Sequence, residues 1–121
     1  MPACIYECML DLRCEWDRAK SDANLRRRGF SFRYATLVFA GPTLEAEDAR
    51  RDYGERRVVA VGAVGGEHLT VVYTDRTASP GVTVRRIIAA WRSSRRERTR
   101  YRQATESAAP GEGPRGLGTV S

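Results

Sequence analysis

RRVVAVGAVGGEHLTVVYTDRTASPGVTVRRIIAA, residues 56–90, is the stretch that decides the fold. It holds three apolar, β-branched runs separated by turn signals. Residues 56–62 read as a strand ending at Gly62, and Gly65-Gly66 marks a hairpin turn. Residues 68–74 read as a second strand, with Thr70, Val71, Val72 and Thr74 favouring extended backbone. Asp75 to Gly81 reads as a loop through Pro80-Gly81, and residues 82–90 as a third strand. Short connections between consecutive strands favour antiparallel pairing.

Upstream, residues 10–15 read as a short strand. Asp17 is placed to cap a helix over 18–28, because its carboxylate can accept from the first free backbone N–H groups. Gly29 stops that helix, and Arg26-Arg27-Arg28 suit its C-terminus electrostatically. Ser31 caps a second helix over 32–39, whose Phe32, Ala35, Val38 and Phe39 share a core-facing side before Gly41-Pro42. Residues 43–55 are polar and acidic and read as a loop. Ser94 and Glu97 form a capping box opening a helix over 95–104. That helix is polar apart from Tyr101, so it cannot lie deep in the core. The expected order is β-α-α-β-β-β-α: an α+β domain with helices on one side of a small, mainly antiparallel sheet.

At 121 residues the chain is long enough for one modest core. Residues 1–13 read as an N-terminal extension or a first strand, with residues 1–8 upstream of an alternative start at Met9; 14–104 read as the domain; 105–121, rich in Gly and Pro, read as a disordered tail. Lys20 is the single lysine among 21 basic residues. A GC-rich genome accounts for that bias, but not for its clustering. Residues 85–102 hold eight arginines against Glu97 alone, +7 in a chain whose net charge is +6. Such a patch attracts RNA, DNA or an acidic protein. Cys4, Cys8 and Cys14 are odd in number and lack zinc spacing, so no metal or cofactor is expected and the compartment reads as reduced cytosol. No apolar run reaches transmembrane length, and the N-terminus, interrupted by Glu7 and Asp11, does not read as a signal peptide.

Glu55 and Arg57 share a face by alternation, either as base and phosphate clamp or as a plain surface ion pair. Tyr73 and Arg76 flank a strand end, and Arg86 lies on the next strand. Strand arginines must face water, a carboxylate or a phosphate. Trp16 reads as a core anchor, Asp17 as a cap, and His68 as a hairpin residue.

The order and spacing of these pieces resemble the BrnT family, the toxin half of a bacterial toxin–antitoxin pair, over roughly residues 14–102. The resemblance rests on Glu15-Trp16-Asp17 with Lys20 and Asn24, Arg28-Gly29 with Ser31-Phe32, Gly54-Glu55 with Arg57, Val72-Tyr73-Thr74 with Arg76, Arg86-Ile87-Ile88, and the Arg95-Arg96-Glu97-Arg98 helix. Three positions depart from the family pattern: Arg28 replaces a histidine, Ala89 a serine, and Trp91 an arginine.

The resemblance implies a RelE-like fold, RNA cleavage, and neutralisation by a BrnA-like antitoxin that carries the DNA contact through a ribbon-helix-helix domain. The chain itself would meet DNA only through that partner. Metal-free cleavage needs a base for the 2′-OH, an acid for the leaving oxygen and cations for the developing charge. On this reading Arg57, Arg76, Arg86 and Arg92 bind the scissile phosphate, Glu55 is the base, and Lys20 or Tyr73 the acid. Arg27, Arg28, Arg95, Arg96 and Arg100 track the RNA backbone. The alternatives are an attenuated toxin acting in an antitoxin–DNA repressor complex, and a plain basic RNA-binding domain.

Overall fold

The computed structural model describes residues 3–7, 13–48 and 54–107. They build a six-stranded sheet in the order β1-β2-β6-β5-β4-β3. The strands are β1 Ala3–Glu7, β2 Arg13–Asp17, β3 Thr43–Glu47, β4 Val58–Val64, β5 Glu67–Ser79 and β6 Val82–Arg92. β2 runs parallel to β6, and every other pairing is antiparallel. The α+β class and the mainly antiparallel sheet are as expected.

Helix α1, Arg18–Arg28, begins and ends where its caps require. The Asp17 carboxylate accepts from the Ala19 N–H at 2.8 Å, and Gly29 closes the helix with φ 88°. Helix α2, Phe32–Ala35, is capped by the Ser31 hydroxyl and tightens into a 3-10 turn over Thr36–Ala40. Phe30, Phe32, Ala35 and Val38 pack on Cys14, Trp16, Ala60, Leu69, Val71 and Ile87 to form the core. Gly62 lets the 3-10 turn sit close on the sheet: a Cβ there would lie 2.8 Å from Val38 Cβ.

Three expectations are corrected. Thr43–Glu47 is not loop but the edge strand β3, whose backbone groups pair with β4. Asp75 to Ser79 continues β5, so the hairpin turn shrinks to Pro80-Gly81, with Ser79 opposite Val82. The helices do not share one side. Helix α3, Arg95–Ser107, lies on the face opposite α1 and α2: its Tyr101 ring meets His68 at 5.2 Å, and His68 alternates with the core residue Leu69. Tyr101 anchors α3 further by donating to the Pro42 carbonyl at 3.1 Å. Of the N-terminal stretch, Ala3–Glu7 pairs with β2 as a strand. The tail from 108 onward lies outside the described residues.

A bulge in β6 controls which residues face which way. Val72 pairs with Ala89 but Tyr73 pairs with Ile87, leaving Ile88 as the extra residue. Beyond it the alternation is inverted. Arg86, Ala89 and Trp91 share the face away from α1, and Arg85, Ile87, Ala90 and Arg92 share the core face.

Candidate nucleic-acid interface

On the face away from α1, the register aligns Glu15 of β2, Arg86 of β6 and Thr74 of β5 in one cross-strand row. Arg57, just before β4, extends the row. Its neighbour's carbonyl, that of Arg56, accepts from the Thr74 hydroxyl at 2.7 Å. The adjacent row holds Arg13, Val84 and Arg76. Two guanidinium side chains, those of Arg76 and Arg86, thus meet one carboxylate, that of Glu15.

That carboxylate organises the site. Arg76 donates to Glu15 from Nε and NH2, both at 2.8 Å, and Arg86 NH1 donates at 3.4 Å. Glu15 is 1% exposed, whereas the Arg76 and Arg86 side chains are 57% and 39% exposed. The carboxylate lies beneath and the guanidiniums lie above it, with N–H edges left over toward solvent. The Arg76 hydrogen bond, with Arg86 assisting, holds the Glu15 carboxyl below the usual carboxylate range against the opposing effect of burial. Glu15 is therefore an anchor and a poor proton acceptor. Sequence reasoning named it only as part of a motif. The signal was its position between the apolar Cys14 and Trp16, which alternation turns to the core.

Glu55 and Arg57 do pair, with Arg57 Nε donating to Glu55 Oε2 at 3.1 Å and the Glu55 side chain 44% exposed. Arg76 and Arg86 are thus brought together on Glu15, whereas Arg57 and Glu55 pair with each other at the entry to β4. Tyr73 and Arg92 are not with them. Tyr73 is buried on the core face, donating to Glu45 at 2.8 Å beneath the Arg85 guanidinium. Burial pushes its hydroxyl well above the usual phenol range, which suits a structural ring rather than a proton donor. Arg92 also faces the core side. It donates to the Arg28 carbonyl and to Glu67, and lies 5.2 Å from the centre of the Phe30 ring. It caps the end of α1.

Lys20 is exposed in the first turn of α1, and its ammonium forms no hydrogen bond or ion pair with the other candidates. Arg27 and Arg28 are exposed at the far end of α1, on the core-side layer. Arg95, Arg96 and Arg100 are exposed on α3, on the same side of the sheet as the arginine row. Among the described residues, no group of three or more His, Cys, Asp or Glu side chains could hold a metal ion.

A family model described as "Ribonuclease toxin, BrnT, of type II toxin-antitoxin system" matches residues 16–97. The chain belongs to the BrnT family. The match runs from the end of β2 into the first turn of α3, so it spans Arg57, Arg76 and Arg86. No curated protein matches the chain. A BrnT protein is a ribonuclease toxin with an RNA substrate and an antitoxin partner. No helix among the described residues is long and apolar enough to cross a membrane.

Proposed function

We propose that this BrnT protein cuts RNA without a metal at the Arg57–Arg76–Arg86 row, within the cytoplasm, on a RelE-like scaffold. One observation carries the reading: a buried carboxylate, Glu15, holds two exposed arginines, Arg76 and Arg86, in a fixed array. Arginines whose other edges stay open are suited to a phosphate, because the planar fork matches its oxygens.

The 2′-OH attacks the adjacent phosphorus, the P–O5′ bond breaks, and a 2′,3′-cyclic phosphate remains. The guanidiniums offset the charge that builds on the non-bridging oxygens. Glu55, held by Arg57 at the margin of the row, takes the 2′-OH proton, and solvent supplies the proton for the leaving oxygen. Arg95, Arg96 and Arg100 carry the RNA strand away along α3. The neutralising partner is a BrnA-like ribbon-helix-helix antitoxin.

A second reading, a toxin that binds its antitoxin and no longer cleaves, is favoured by one observation. The single histidine, His68, meets Tyr101 edge to face, six residues along β5 from Thr74, and so stands away from the row. Labelled RNA incubated with the protein in EDTA separates the two, beside an Arg57→Ala control and a translating extract. Cleavage to 2′,3′-cyclic ends that the control loses supports the first. No cleavage in either medium, with salt-sensitive RNA binding retained, supports the second.

A further inference from the structure

A groove of about 320 Å³ opens on the same side of the sheet as the arginine row, between β3, β4 and the start of α3. Leu44, Val59 and Val61 give it apolar walls, Trp91 closes one side, and Arg100 and Glu97 stand at its edge. The volume lies at the small end for ligand sites and suits one flat ring system. The indole is held in place: its Nε1 donates to Glu97 Oε1 at 3.3 Å, and Glu97 is itself fixed by the Ser94 N–H at 2.7 Å. The β6 bulge turns Trp91 to the same face as Arg86, five residues away along the strand, or roughly 17 Å.

We propose that this groove takes one unpaired nucleobase of the RNA strand, stacked on Trp91, a few nucleotides from the scissile phosphate. The inference rests on the RNA-cutting reading of the arginine row. A slot with apolar walls and four carboxylates in its lining, Glu45, Glu47, Asp48 and Glu97, repels phosphate and admits a base, while Arg100 on α3 is placed for the backbone outside. The groove and the row lie on one face, so a single strand can occupy both. Trp91 would thereby set the register in which the strand meets Arg76 and Arg86, and would be a specificity residue rather than a catalytic one.

Intrinsic fluorescence tests this directly, because the chain has two tryptophans and Trp16 is only 4% exposed. The full chain is titrated with an uncleavable 2′-O-methyl oligoribonucleotide while fluorescence and RNA anisotropy are followed together. Stacking should quench Trp91. Trp91→Leu should weaken binding about tenfold, and Trp91→Phe, which keeps a ring but loses the Glu97 bond, should bind nearly as the parent does. Binding without quenching, or Phe and Leu variants equally impaired, overturns the base site while leaving the RNA reading intact. An Arg76→Ala/Arg86→Ala double variant that binds as the parent does, or no RNA binding by the parent itself, overturns the RNA reading and the base site with it.

Discussion

Glu15 lies beneath Arg76 in a two-bond contact, both donor–acceptor distances 2.8 Å, with the carboxylate buried and the guanidinium open to solvent. Sixty-one residues separate the two in sequence. The pairing of β2 with β6, and of β6 with β5, is what brings them together. A buried carboxylate with open arginines costs less to desolvate than a fully buried triad, since only one partner loses its water. The contact therefore positions the arginines at little expense to the fold.

Glu15→Gln should keep the fold but loosen both arginines. Cleavage is expected to fall about 100-fold while RNA binding weakens less, because misplacement by about 1 Å degrades a preorganised site more than it degrades attraction. Single-turnover cleavage and equilibrium binding, measured on the same preparation, check the split. Equal losses in both would contradict a positioning role.

The same residue sets a pH dependence. Its folded pKa is depressed, so its contribution to stability is complete above the unfolded value, near 4.5, and disappears as pH falls through the folded value. Thermal melts between pH 6 and pH 3 should show the parent losing more stability than Glu15→Gln below about pH 4.5. Parallel curves would remove the linkage.

Arg76→Lys keeps the charge but not the fork. With two planar bonds to Glu15 at stake, cleavage should drop about 100-fold despite an unchanged net charge. A lysine variant as active as the parent would mean that charge alone suffices.

Gly62→Ala should destabilise the protein by about 1–3 kcal/mol, since the new methyl would meet Val38 Cβ at 2.8 Å and the Val38 carbonyl at 3.3 Å. Urea unfolding measures this. An unchanged midpoint would show that the 3-10 turn shifts freely away from the sheet.

Much of the fold was legible because its signals are local. Asp17, Gly29, Ser31, Gly65-Gly66 and the Ser94/Glu97 box each fix an end or a turn through their own backbone and capping chemistry, and each does so here. β3 was not legible, because Thr43–Glu47 is a short edge strand whose only apolar residues, Leu44 and Ala46, stand among Thr43, Glu45 and Glu47 in an acidic stretch; its partner strand specifies it. Arg57, Arg76 and Arg86 were legible as strand arginines needing an anion. Arg92, assigned with Arg86 on the resemblance alone, lies on the other face, because the Ile88 bulge inverts the alternation between them. Glu15 was overlooked because its role depends on two strands that follow it by about sixty and seventy residues.

The most direct test compares Arg86→Ala with Arg92→Ala in RNA cleavage, since both lie on β6 and remove the same charge. The row on the open face predicts that Arg86→Ala abolishes cleavage. Arg92→Ala should retain it and lose only about 1 kcal/mol of stability from the end of α1. Equal loss of cleavage in the two variants, or full activity in Arg86→Ala, would contradict the assignment of the site to that face.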